Sequence, residues 1–444
     1  MRNPRRSIPI VLVLLLVVAA CGGEEQAEEP TATTATATAG DAITTTTTGG
    51  TTTVAARGGA IPVGVLLPFT GQYSWVGENV MEVAQLIVNE ANETGGIGGR
   101  EVRLVQGDTE GTVDAGVLAA QKLANTDQVV AFIGPTSLSF TGVRQVVTDT
   151  GTPMVSPTAG TTELNEAGKE LFYRTVPSDS LGGRAIARAI TDPSLLGRDQ
   201  AFTKPALLVG QAPALISFAE PIRSGIEEFG GSLATTLEFQ PGKSAYRSEV
   251  GEVLNAEPDI IILVAAPEDS ARIQRDAFEA GYQGGWFVTQ DQTNADYVSL
   301  AGPEVVEGIY GLVEAAPPEA EDLLATFREQ LGHEPDIFQT NSYDAVNVVL
   351  LALLEAAQAG EEISRQALAG SLDPVANADE GDVVVTSFTE GREALEAGDS
   401  IDYQGLSGPV DFDEFGNIVS PFAIQQVQDG TWTEVAILAA EDLR

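Results

Sequence analysis

From residue 61 onward, short apolar runs alternate with helix-length segments, and the alternation starts over once. Pro62-Val63-Gly64-Val65-Leu66-Leu67 reads as a buried strand, and residues 77–93 set Val80, Val83, Ala84, Ile87 and Val88 at helical spacing. A strand over 102–105, ending at Gly107-Asp108, leads to a helix over 115–124, a strand over 129–133, a helix around 143–148 and a strand at Met154-Val155. The second cycle has strands over 205–209, 232–239, 260–265 and 286–289, with helices over 216–229, 246–255 and 270–280 between them. Such alternation requires parallel strands with crossover helices on both faces of a sheet. Two cycles of similar size predict an α/β chain with two lobes, each a doubly wound parallel sheet. Helices over 319–331, 341–360 and 364–372 follow, and the chain then turns to β at 410–412, 423–428 and 432–438. Asp429-Gly430 between the last two apolar runs predicts a hairpin.

Charge and residue usage remove several function classes. The 444 residues carry 23 Lys+Arg against 64 Asp+Glu, a net charge of −41. A phosphate backbone would be repelled, so nucleic acid is not a partner. One cysteine, Cys21, allows no intrachain disulfide, and one histidine, His333, leaves little for His-based catalysis or metal binding. No nucleophile elbow, phosphate loop or metal-ligand spacing occurs, so neither an enzyme, a cofactor nor a metal is expected. Gly95-Gly96-Ile97-Gly98-Gly99 follows a helix and reads as its C-cap. Asp108 reads as a turn organiser, and His333 as a residue favoured by a helix C-terminal dipole.

The N-terminus is read apart from the fold. Arg2, Arg5 and Arg6 precede an apolar stretch over 8–18 that is too short to span a bilayer comfortably. The sequence Val18-Ala19-Ala20-Cys21-Gly22 resembles the lipobox of bacterial lipoproteins. That resemblance implies cleavage after residue 20, acylation of Cys21, and a lipid anchor in the membrane. An ordinary secretory signal is the alternative, and the placement of the single cysteine favours lipidation. Residues 21–60 hold acidic residues and Thr repeats without apolar periodicity, and read as a disordered tether. A tether of roughly 35 residues has an r.m.s. reach of about 30 Å.

In open α/β sheets, ligands bind beyond the carboxyl ends of the strands. The loops expected there, 68–76, 134–140, 156–163, 210–215, 265–267 and 290–294, are rich in Ser, Thr, Gly and Ala. At these loops the chain resembles the type I periplasmic solute-binding proteins of ABC transporters, in the branched-chain amino-acid (leucine/isoleucine/valine) group. The pieces occur in family order from residue 61 to the C-terminus: Leu67-Pro68-Phe69-Thr70-Gly71, Ile133-Gly134-Pro135, Pro153-Met154-Val155-Ser156-Pro157, Phe172-Tyr173-Arg174, Tyr343-Asp344-Ala345, Tyr403-Gln404-Gly405 with Ser407-Gly408-Pro409, and Gln426-Val427-Gln428-Asp429-Gly430.

The resemblance implies two lobes joined by a three-crossover hinge, with lobe one at 61–178 and 312–420 and lobe two at 179–311 and 421–444. It implies a ligand held between them: its carboxylate end by Ser137, or Ser139 if the shorter loop shifts the register. Thr158, Ala159 and Gly160 would be the next anchors, with Thr161 or Thr158 supplying a hydroxyl that relatives place at the Gly160 position. Asp291 would meet the ammonium, and Trp75 with Tyr73 would cover the ligand body. Leu215 and Ala266 stand where relatives have tyrosines, so the second lobe's face of the cleft has lost two rings and hydroxyls. The implied protein is a monomer that captures an amino acid or amino-acid-like solute and docks on ABC permease subunits. The same clamshell can instead report its ligand to a receptor. An envelope enzyme is the remaining alternative, and the chain shows no catalytic constellation for it.

Overall fold

The computed structural model describes residues 59–443 apart from 169 and 378. Cys21, the cleavage signal and nearly all of the 21–60 tether lie outside the described residues. The first sheet has five parallel strands: β1 (Ile61–Leu67), β2 (Val102–Asp108), β3 (Phe132–Ile133), β4 (Met154–Ser156) and β5 (Phe172–Arg174). Their order is β2-β1-β3-β4-β5. Crossover helices α1 (Ser74–Glu93), α2 (Val113–Asn125) and α3 (Ser137–Thr150) cover both faces.

After β5 the chain leaves this lobe through α4 (Asp179–Thr191). The second sheet starts with β6 (Pro205–Gly210), β7 (Thr235–Phe239), β8 (Ile260–Val264), β9 (Gly285–Val288) and β10 (Tyr310–Glu314). Helices α5 (Pro213–Glu228), α6 (Arg247–Leu254), α7 (Pro267–Glu279), α8 (Ala295–Ala301) and α9 (Pro303–Val306) connect them. The chain then returns to the first lobe with α10 (Glu321–Leu331), α11 (Gln339–Gln358), α12 (Arg365–Ala376), β11 (Val383–Val385), α13 (Phe388–Ala397), β12 (Ile401–Gly405) and β13 (Gly408–Pro409). It crosses a third time into β14 (Phe422–Gln428) and β15 (Thr431–Leu438), which complete the order β15-β14-β10-β9-β8-β6-β7. The hairpin lies where Asp429-Gly430 predicts it, with φ of 52° and 74° at the two turn residues. Positive φ at both positions matches the right-handed strand twist.

Two elements decide the packing. Helix α11 is buried nearly all round, with a polar first half and an apolar second half, and it packs against α1, α12 and α13 in the largest core cluster. Its Asp344 is buried too, and accepts hydrogen bonds from Leu406 N (2.9 Å), Ser407 N (2.6 Å) and the Tyr403 hydroxyl (3.0 Å). A Cβ at Gly405 would stand 2.0 Å from an Asp344 oxygen, so only glycine lets that carboxylate in. Two of the family-like motifs, Tyr343-Asp344-Ala345 and Tyr403-Gln404-Gly405, therefore form one structural clasp away from the ligand loops.

The structure differs from the periodicity reading in places. Helix α4 lies in a stretch that carries Gly182 and Gly183, and helix-interior glycine weakens a helical pattern by about 1 kcal/mol. Packing explains those glycines: a Cβ at Gly183 would come 2.5 Å from Pro221, and one at Gly225 2.8 Å from Ala187. Small residues thus bring α4 and α5 into close contact. The expected strand over 410–412 is absent, because Phe412 exchanges both backbone hydrogen bonds with the Asn377 side chain (3.0 and 2.7 Å).

Candidate functional site

Both sheets reverse their winding between neighbouring strands, at β1/β3 in the first and at β6/β8 in the second. Loops leave in opposite directions at such a point and open a crevice. The four strand-to-helix junctions there carry Tyr73 and Ala266 in their loops and Ser137 and Leu215 in the first turns of α3 and α5. Between the lobes lies a cavity of about 570 Å³, part of it open to solvent. Tyr73, Ser137, Thr158, Leu215 and Asp291 all line it, as do Thr136, Asp179, Phe218 and Phe338. The fold thus brings together five of the sequence-predicted residues from positions up to 218 apart.

One end of the cavity suits an anion. It is the N-terminus of α3, where the backbone N–H groups of Ser137 and Leu138 have no partner among the described residues. Ser137 Oγ accepts from Thr161 N at 3.1 Å, which leaves the hydroxyl hydrogen free to donate to a ligand. Thr136 Oγ1 is buried beside it without a partner.

The other end suits a cation. Asp291 follows β9 on a short 3₁₀ turn, and Asp179 is the first residue of α4. Asp179 is only 6% exposed, yet its carboxylate makes no hydrogen bond or ion pair within 4 Å among the described residues. Burial pushes Asp179 up to about 7; the nearby Arg174 pulls it down, and Glu314 and Asp291 push it further up. Burial likewise raises Asp291 to about 7 and, with the Asp291 charge adding to it, Glu314 to about 7. Tyr73 is raised well above its usual range by burial first, then by Asp291, Glu268 and Asp269. Apart from the pull of Arg174 on Asp179, no positive charge restores their ordinary ionisation.

Other predicted residues have structural work instead. Ser139 is fully buried and faces α2, where a Cβ at Gly116 would meet its Cβ at 2.7 Å, so it does not substitute for Ser137. The N–H groups of Thr158 and Ala159 are bonded to Ser156 Oγ at 3.2 and 2.9 Å, and Ala159 does not line the cavity. Gly160 and Thr161 are also outside the lining: their carbonyls accept from the buried Arg174 at 2.9 and 3.1 Å. Gly160 serves by what it lacks, since a Cβ there would stand 2.1 Å from an Asp179 oxygen. Ala266 caps α7, is buried against the first lobe's core and does not line the cavity. Trp75 stacks on Phe338 with centroids 6.2 Å apart and planes 5° apart, and Phe338 rather than Trp75 faces this cavity.

Sequence reading missed Asp179, Phe218 and Phe338. The signal for Asp179 was present as Ser178-Asp179, an N-cap pair ahead of a helix, with Ser178 Oγ accepting from Ser180 N. Phe338 carried none: it adopts φ 67°, a left-handed conformation that only its tertiary surroundings hold. His333 is exposed, 3.3 Å from Glu82, and outside the cleft.

Comparison with known proteins agrees with this geometry. Residues 60–431 match the family model described as periplasmic binding protein. The substrate-binding protein BasB of a chemotactic signal transduction system in Halobacterium salinarum is 25% identical over 385 residues, covering 84% of this chain and 88% of that protein. A Leu/Ile/Val-binding protein homolog of Brucella suis is 25% identical over 316 residues, with coverage of 70% and 79%. The structure of a leucine-binding protein LivK from Thermotoga maritima superimposes with a TM-score of 0.71 at 22% identity, covering 86% of this chain and 100% of that one. A solute-binding protein from R. palustris in complex with benzoate shares the fold with a TM-score of 0.68 at 18% identity, with coverage of 86% and 97%. With two doubly wound lobes, a cleft at both switch points and a match spanning both lobes, the chain belongs to the periplasmic binding protein family, with the type I fold.

Proposed function

We propose that this protein is the solute-capturing component of an ABC importer, working outside the cytoplasm and anchored by a lipid on Cys21. It closes two lobes, 61–178 with 312–420 and 179–311 with 421–444, over an amino acid or amino-acid-like zwitterion. The observation that carries the reading is the two-ended cavity, with free N–H groups and hydroxyls at the α3 N-terminus and unpaired carboxylates at Asp179 and Asp291. A carboxylate at the first end and an ammonium at the second gain charge-assisted hydrogen bonds in a site that closure dries. The ligand acts by binding the closed state better than the open one, and the closed state docks on the permease.

A thermal-shift screen with amino acids, amides and small carboxylates tests this. A ligand at 100 times its Kd stabilises by about 2.7 kcal/mol, so a true ligand moves the transition by several degrees. Flat transitions across every zwitterion would reject the reading. The chemotactic role in the name of the Halobacterium relative favours a second reading, in which the closed form signals to a receptor. Crosslinking the liganded protein on cells separates the two: a permease subunit supports import, a transducer supports sensing.

A further inference from the structure

Asp291 lines a second chamber as well as the first. This outer chamber encloses about 1370 Å³, part of it open solvent, and Trp75, Pro267 and Ile337 are among its apolar lining. Its charged lining residues are Glu268, Asp291, Asp296 and Asp336, and neither chamber has a Lys, Arg or His in its lining.

An acidic wall means little in a chain of net charge −41 unless these carboxylates differ from the rest. They do. Two fully buried acids elsewhere are satisfied: Asp344 accepts three hydrogen bonds, and Asp269 accepts from Gly242 N, the Tyr246 hydroxyl and Arg272. The Asp179 side chain, on a residue 94% shielded from solvent, has no hydrogen-bond partner among the described residues, and the half-buried Asp291 and Glu268 have none for their side chains either. One Glu268 oxygen is fully shielded and unpaired. Tyr73, 9% exposed, lines the inner chamber with its hydroxyl unbonded among the described residues, and it feels the charges of both Asp291 and Glu268. Buried polar atoms are rarely left without partners, so the bare Asp179 carboxylate, the Thr136 and Tyr73 hydroxyls and the shielded Glu268 oxygen, spread over two chambers that share Asp291, mark where a ligand supplies the partner.

One ammonium leaves this arrangement underfilled. It satisfies Asp179 and Asp291 at the inner end, while Glu268 and the outer acids remain beside an aromatic face. Trp75, held flat by its stack on Phe338, lines that outer chamber. An indole face attracts a cation, and more strongly for a planar guanidinium or an ammonium already drawn by nearby carboxylates.

We propose that the preferred solute is a zwitterion with a second, distal cation: an amino acid with a basic side chain, its α-ammonium between Asp179 and Asp291 and its far end in the outer chamber between Trp75 and Glu268. This rests on the reading of the inner chamber as an amino-acid site. A diamine lacks the carboxylate that the α3 N-terminus would hold, so it binds more weakly than the amino acid of the same length. A neutral aliphatic side chain leaves the outer acids unpaired.

Calorimetric titration of the full chain at 0.15 M salt decides it, with L-arginine, L-lysine, L-leucine, L-glutamate and putrescine as probes. The expected result is arginine or lysine at least tenfold tighter than leucine and putrescine, with glutamate weakest. Glu268→Gln should lower the ratio of arginine to leucine affinity about tenfold, and Trp75→Leu about threefold. Leucine binding as tightly as the basic amino acids would overturn the proposal while leaving the amino-acid reading intact. An arginine preference that Glu268→Gln leaves unchanged would overturn the placement of the distal cation. Binding of putrescine but of no amino acid would overturn both this proposal and the reading on which it rests.

Discussion

Ser217 on α5 of the second lobe meets Thr162 of the first: its Oγ accepts from Thr162 N at 3.0 Å and lies 2.8 Å from Thr162 Oγ1. Thr161 Oγ1 is 3.4 Å from the same oxygen. These residues lie outside the cavity lining and join the two lobes directly, so they stabilise the lobe arrangement of this structure. Replacing Ser217 by Ala removes hydrogen bonds worth about 1 kcal/mol net. The expected outcome is a fivefold to tenfold weaker affinity, expressed mainly as faster release, in stopped-flow measurements. Unchanged kinetics would show that the closed state does not depend on this contact.

Asp291→Asn and Asp179→Asn should each weaken binding of an ammonium ligand by about a hundredfold, the usual scale for removing one partner of a desolvated charge pair. Titration calorimetry measures it. The two effects should not add, because both carboxylates address one cation. Full additivity would place them on separate ligand groups.

Gly160→Ala tests the packing behind the cation end. The new methyl would stand 2.1 Å from an Asp179 oxygen and 3.3 Å from the Pro177 carbonyl. The carboxylate has to move out of the cleft, and affinity should drop at least tenfold while melting temperature changes by only a few degrees. A tight-binding Gly160→Ala protein would mean that Asp179 has another resting place.

The raised carboxyls make binding pH-dependent. Burial pushes Asp179, Asp291 and Glu314 up to about 7, with Arg174, Tyr73, Glu268 and Asp269 as the charged or titratable groups around them. A cationic ligand favours their ionised forms, so binding releases protons and affinity should rise between pH 6 and 8. The sign for the empty protein is opposite. Its folded state holds these protons above the ordinary carboxyl range, so the stability they contribute is present below about pH 4 and lost as pH rises through about 7. Calorimetry at pH 7 in two buffers of different ionisation enthalpy gives the proton count directly; zero release would remove these acids from the site.

Cys21→Ser should move the protein from the membrane to the soluble fraction on cell fractionation. Retention in the membrane would leave the cysteine without its anchoring role.

Much of this protein is legible in the order of its residues. Strand and helix periodicity depends on local spacing, so the two doubly wound cycles, the Asp429-Gly430 hairpin and the loops that hold Tyr73, Ser137 and Asp291 follow from short windows of chain. Tertiary structure decided which loop atoms are free for a ligand. Ser156 takes the N–H groups of Thr158 and Ala159, Arg174 takes the carbonyls of Gly160 and Thr161, and Ser139 turns toward α2 because two residues along a helix point to opposite sides. Asp179 enters the cleft only because α4 packs closely on α5 through paired glycines and Gly160 leaves it room. Hydrogen-bond competition and side-chain volume act between residues distant in sequence, so neither can be read from spacing; the fold must first bring the competitors within 3 Å of each other.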